Sequence, residues 1–174
     1  MRRRLPLLAG AAWLSLAQLA RAAAVAPPSG VVDGAGRFHP VLVHFPVALI
    51  VTAFVAEMIF IAHRDERFSS AARIMLHAGA WVGVAAALTG FARADTITIA
   101  PDAAGAFAVH RIAGIATPVL AFLAAGLADG VRRSGQIWEL FLFRVVLALA
   151  AAGAVVAGYY GGEIVYGAGF LCLW

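Results

Sequence analysis

A single cysteine, Cys172, stands among the 174 residues of this chain. One thiol forms no internal disulfide and builds no cysteine-ligated metal or iron–sulfur centre within one chain. Charge is equally sparse, at 13% of residues. A soluble domain would carry about twice that fraction, so most of the surface must meet lipid rather than water. Lysine is missing altogether, and all thirteen basic residues are arginine. The formal charge of +4 owes three units to Arg2, Arg3 and Arg4. The remainder is close to neutral, with no basic patch carrying interleaved aromatics, which argues against a nucleic-acid partner. No Ser/His/Asp constellation and no glycine-rich phosphate loop is visible, so nothing points to hydrolysis of a soluble substrate.

What fills the chain is apolar. Hydrophobic residues make up 63% of it, gathered in four segments at 40–62, 71–92, 108–128 and 137–160. Each is near the ~20 residues that a helix needs to cross a hydrocarbon core. The expected fold is all-α: a polytopic, up-down four-transmembrane-helix bundle over residues 39–171, its short connections making neighbouring helices antiparallel. Ahead of it, residues 1–22 read as a secretory signal peptide or an uncleaved anchor. Arg2 to Arg4 form the basic start, 5–20 an apolar stretch, and Ala20-Arg21-Ala22 the small-residue cleavage site. Residues 23–38, with Pro27, Pro28, Gly30, Gly34 and Gly36, read as a mobile periplasmic linker.

Orientation follows from the arginines. His63, Arg64, Arg67 and Arg73 surround the first connection, and Arg132 and Arg133 the third. The middle connection, 93–107, has one arginine and two aspartates. This bias puts the first and third connections in the cytoplasm. The expectation is a multi-pass protein of the bacterial inner membrane with both mature termini periplasmic, in agreement with a signal peptide.

Small residues recur at four-residue spacing: Gly79, Gly83 and Ala87; Ala113, Thr117, Ala121 and Ala125; Ala150, Ala154, Gly158 and Gly162. Such ladders let helices approach closely in lipid. Pro46 and Pro118 should kink the first and third spans. At ~1.5 Å per residue, the polar residues inside the spans fall into two layers. The outer layer holds His39, His44, His110, Arg111 and Glu163. The inner layer holds Glu57, His77 and Arg144. A lone charge at that depth costs at least ~2.5–3.5 kcal/mol, so Glu57 and Arg144 should form an ion pair, with His77 hydrogen-bonding the carboxylate. A fold-defining pair is favoured there over a proton relay.

Three uses compete for the outer histidines. One is axial ligation of haem b by a histidine from each of the first and third spans. His44 and His110 match in depth, His39 is the alternative ligand, Arg111 could pair with a propionate, and Gly90, Gly114, Gly161 and Gly162 supply room. The second is a divalent-metal or copper site of His39, His44, His110 and Glu163. In the third, the imidazoles serve structure only, capping helix ends and the carbonyls freed by Pro46.

His39-Pro40-Val41-Leu42-Val43-His44-Phe45-Pro46 resembles the "HPxxVHFP" opening of the DUF2231 family of bacterial membrane proteins. The likeness continues through Thr89-Gly90 and His110-Arg111 into Gly161-Gly162-Glu163-Ile164-Val165-Tyr166-Gly167-Ala168-Gly169, similar to the family's "GGxLVYxxG" ending. A histidine common before that last glycine is replaced here by Ala168, so no role of that residue carries over. The resemblance implies a four-span inner-membrane module, found alone or fused to cytochrome c-type or Rieske-type domains, hence an electron-transfer setting. The leading expectation is therefore a b-type cytochrome-like redox subunit, passing electrons between quinol or a membrane partner and periplasmic carriers. Tyr166 is then a hydrogen-bond donor at the interface. The rivals are a non-catalytic membrane subunit or assembly factor without cofactor, and a permease using Glu57, His77 and Arg144. The permease would need a homo- or hetero-oligomer, because four spans are few and no inverted repeat is visible.

Overall fold

The computed structural model describes residues 30–171. The expected signal peptide, the first part of the linker and Cys172 lie outside the described residues. The elements are α1 (Gly30–Arg37), α2 (His39–Leu42), α3 (His44–His63), α4 (Glu66–Ala94), a 3-10 turn (Pro101–Ala103), α5 (Ala104–Ser134) and α6 (Ile137–Tyr166). No strand occurs among the described residues, so the class is all-α.

The linker differs from expectation where it is described, because residues 30–37 are helical. Asp33 and Arg37 bridge one turn at 2.8 Å. Gly36 lies so close to α4 that a Cβ there would stand 2.9 Å from the Arg93 amide nitrogen. The glycine serves close approach, not mobility. The prolines of the HPVLVHFP segment fall in the first turns of α2 and α3, where a missing N–H leaves no helical bond unmade.

Four long helical stretches, beginning with Gly30–His63, are apolar enough to cross a membrane, yet only 28–33% of their most apolar windows is buried. Among the described residues, thirteen of seventeen buried apolar side chains are alanine, while Ile74, Trp81, Ile112, Phe141 and Leu149 point outward. A soluble core would reverse this. In lipid, apolar side chains gain nothing by hiding, and backbones associate through small residues. Gly83 shows how tight the result is: a Cβ there would meet Pro118 Cβ at 3.0 Å and Pro46 Cβ at 3.6 Å. The principal contacts run around a square, α3 to α4 to α5 to α6 and back to α3.

The two hairpins of this square correspond residue for residue at an offset of 71 positions, as from His39 to His110. Helices α3 and α5 end at His63 and Ser134, and their caps Arg64 (φ 58°) and Gly135 (φ 65°) are both left-handed. Helices α4 and α6 begin at Glu66 and Ile137. The buried residues of α4 are Ala72, Leu76, Gly79, Ala80, Gly83 and Ala86. The same shift gives Phe143, Leu147, Ala150, Ala151, Ala154 and Ala157, the whole buried set of α6. Pro46, Ile50, Ala53 and Glu57 of α3 likewise map onto Thr117, Ala121, Ala124 and Ala128 of α5, buried in both. Both hairpins start at the same end of the bundle. The repeat is thus parallel, with a pseudo-two-fold axis along the bundle, and not inverted.

Candidate functional site

At the end of the bundle where α2 enters and α5 begins, two histidines meet across the diagonal of the square. The rings of His39 and His110 are 6.1 Å apart between centroids and nearly perpendicular, at 82°. Each is held the same way. His39 Nδ1 donates to the Ala86 carbonyl at 2.9 Å, and His110 Nδ1 to the Ala157 carbonyl at 2.7 Å. Each ring also lies against a glycine one turn further along that helix. A Cβ on Gly90 would stand 2.9 Å from His39 Cε1, and one on Gly161 3.1 Å from His110 Cε1. Ala86 and Ala157, like Gly90 and Gly161, are equivalent under the 71-residue shift. The duplication therefore builds one site from two copies of a His–carbonyl–Gly unit.

In a neutral ring whose Nδ1 donates to a carbonyl, Nε2 is left with its lone pair. That arrangement orients an imidazole as a metal ligand. The ring separation is also close to the roughly 6 Å that two imidazoles on one ion require, from metal–nitrogen bonds of about 2 Å.

His44, expected as the first-span ligand, is elsewhere. It is exposed on α3, while His39 faces His110. Five residues at ~100° each turn it about 140° away from His39. The expected cluster of three histidines with Glu163 is not assembled either, and no group of three or more His, Cys, Asp or Glu side chains suited to a metal occurs among the described residues. Glu163 Oε1 instead accepts from the Gly169 amide at 3.3 Å, closing the chain end. Arg111 stands over the Phe91 ring at 5.7 Å. Tyr166 is exposed, its ring tilted on Phe170 at 5.7 Å. Of the glycines expected to leave room, Gly90 and Gly161 are covered by the histidine rings and Gly162 by Phe170. Gly114, one turn from His110, has open space beyond it, with no atom within 4 Å of a Cβ there.

The inner layer divides into two. Arg144 Nε donates to Glu57 Oε1 at 2.9 Å, and Glu57 is 2% exposed. The Arg144 Nη2 group is buried without a partner. His77 does not join this pair. Its Nε2 lies 3.2 Å from Asp129 Oδ2, and Arg73 Nη1 is 3.8 Å from Asp129 Oδ1. The level assigned from the sequence agrees and the direction does not: α3 and α4 are neighbours, but His77 turns toward Asp129 on α5 while Glu57 turns toward Arg144 on α6. Arg73 was read from the sequence for orientation and not as part of a site, and Asp129 and Phe91 were given no site role at all. The paired spacing of His39 with His110, Arg73 with Arg144 and Gly90 with Gly161 is the signal that would have found Arg73, whereas Asp129 and Phe91 have the unlike counterparts Met58 and Gly162.

Over residues 35–171 the chain matches the family described as Predicted membrane protein (DUF2231). It belongs to the DUF2231 family. The chain is accordingly a membrane protein with four candidate spans. No curated protein and no solved structure matches it. In this DUF2231 protein the first and last motifs of the chain, remote in sequence, come to one end of the bundle. The HPVLVHFP segment supplies His39, and the GGEIVYG segment supplies the Gly161 on which His110 rests.

Proposed function

We propose that this protein is a redox subunit of the bacterial inner membrane in which His39 and His110 would hold a haem b. The observation that carries the reading is the paired imidazoles, each fixed through Nδ1 with Nε2 left to bind, at a separation suited to one ion. Among the described residues only two such donors converge there, so the rest of a metal's coordination would come with the group itself, as it does in a porphyrin. The group would supply reversible one-electron transfer. The chain's part is to hold two imidazoles in one tautomer and to present Arg111, exposed at the same level, to a propionate. The space beyond Gly114 is where the chain leaves room beside His110.

The arginine-rich connections support an orientation with the histidine end in the periplasmic leaflet and both mature termini periplasmic. Electrons would then pass between quinol or a membrane partner and periplasmic carriers. A subunit without cofactor is the second reading, favoured by the rings that already cover Gly90 and Gly161. Protein purified from cells supplied with haem precursor separates the two. A Soret band with α/β peaks on reduction, lost in His39→Ala and His110→Ala but kept in His44→Ala, supports the haem. A colourless preparation with no pyridine hemochrome refutes it.

A further inference from the structure

The duplication gives each ion pair a counterpart at the equivalent place in the other half. Arg73 of α4 and Arg144 of α6 correspond, and each reaches an acid on the first helix of the other hairpin. One acid is Glu57, whose counterpart is Ala128. The other is Asp129, whose counterpart is Met58, so the two acids stand one position apart in the repeat. One position is ~100° around a helix, enough to turn Asp129 out of the core into the seam between α4 and α5. The two sites differ accordingly. Glu57 is sealed at 2% exposure with Arg144 at 2.9 Å. The Arg73–Asp129 contact is longer, at 3.8 Å, and about a third exposed. A cleft of about 340 Å³ opens beside it, lined by Arg73, Ile74, His77 and Asp129. The counterpart of His77 is Ala148, so the imidazole belongs to the open copy alone.

The hydrogens at this cleft follow from the acceptors around it. The Arg73 carbonyl has no proton to give, so His77 Nδ1, 3.0 Å from it, carries one. In a neutral ring Nε2 is then a bare lone pair. It would face the Asp129 Oδ2 at 3.2 Å, acceptor against acceptor. That contact repels unless a proton sits on Nε2 or on the carboxylate.

We infer that His77 and Asp129 form a proton-binding site, which exchanges with water through the cleft at the arginine-rich end of the bundle. The Glu57–Arg144 pair is the static copy of the same arrangement. The charged groups lining the cleft with His77 are Arg73 from its own helix and Asp129 from α5, while Glu57 on α3 is engaged by Arg144. The site is separate from the histidine pair, since His77 is thirteen residues, or ~20 Å, along α4 from Gly90.

Full-length protein labelled with 15N-histidine in lipid nanodiscs tests this, with His77→Gln used to assign the signals. Ring-nitrogen spectra are followed over about pH 5 to 8, together with the infrared band of a protonated carboxyl. The expected result near pH 7 is a bound proton. Either both His77 nitrogens are protonated, or a carboxylic-acid band is present that Asp129→Asn removes. Asp129→Asn should also weaken proton binding at His77 by roughly tenfold, whereas Glu57→Gln leaves it unchanged. A neutral His77 beside an ionised Asp129 throughout that range in the unmodified protein overturns the inference. So does a His77 titration that Asp129→Asn does not move.

Discussion

The two equivalent ion pairs allow a comparison within one molecule, because they share a helix geometry and differ in burial. Removing one partner of a buried pair costs ~3–5 kcal/mol, as the other charge is stranded. Glu57 is 2% exposed, so Arg144→Ala strands a carboxylate in the core and should cost about 3 kcal/mol. Arg144 is 27% exposed and its Nη2 already lacks a partner, so Glu57→Ala should cost less, about 2 kcal/mol. The double variant strands nothing, and should lie near 2–3 kcal/mol, a coupling of about 2–3 kcal/mol. At Arg73–Asp129, at 3.8 Å and partly exposed, the same cycle should give less than about 1 kcal/mol. Reversible unfolding in mixed detergent and SDS micelles reads both cycles. Trp81, edge-on to Phe122 at 4.9 Å, provides a fluorescence signal sensitive to α4–α5 separation. Equal couplings at the two sites, or additivity at Glu57–Arg144, would refute the claim that only one copy is sealed.

Gly90→Ala and Gly161→Ala should act alike, each pushing a histidine ring off its carbonyl at a cost of ~1–3 kcal/mol, whereas Gly114→Ala, facing open space, should leave both rings in place and gain up to ~1 kcal/mol from helix propensity; histidine side-chain NMR and melting curves check both. Gly83→Ala should be among the worst single-methyl additions, since the rigid ring of Pro118 is 3.0 Å from the new atom. Gly158→Ala meets nothing and should gain up to ~1 kcal/mol from helix propensity. Asp65 caps α4 and is held down to about pKa 2, first by its side-chain hydrogen bond with Arg67. Because the folded value is the lower one, its contribution is complete above the ordinary carboxylate range, near 3.9, and is lost as pH falls toward 2. Asp65→Ala should remove that dependence and speed hydrogen exchange at the Arg67 amide.

Span number, helix class and the use of small residues were all legible, because hydrophobic length and four-residue spacing are one-dimensional properties. Level was legible too: rise per residue sets Glu57 and Arg144 at one height, and the cost of a lone charge there pairs them. Azimuth was not. The sequence cannot state that His77 lies on the face of α4 toward α5 while Glu57 faces α6, and so His77 is assigned to Glu57 in place of Asp129. The break between α2 and α3 at Val43 obscures the phase that decides between His39 and His44. The linker misleads for another reason, since Gly36 looks flexible until the backbone it touches is known. The repeat stays hidden because lipid-facing positions accept almost any apolar residue, leaving few identities between the halves.

Those identities have a physical logic. A residue that touches its own counterpart across the pseudo-two-fold axis cannot change in one copy without disturbing the other, and the His39–His110 contact is of this kind. The supports behind each ring, Ala86 with Gly90 and Ala157 with Gly161, inherit the same constraint, since a Cβ on either glycine displaces a ring on the axis. Pairs away from the axis are independent of each other. The acid opposite Arg144 can therefore sit at 57 while the acid opposite Arg73 sits one repeat position later, at 129, and His77 can exist in one half only. On-axis chemistry must be single and symmetric. Off-axis chemistry is free to become two different things, here a sealed ion pair and an open cleft.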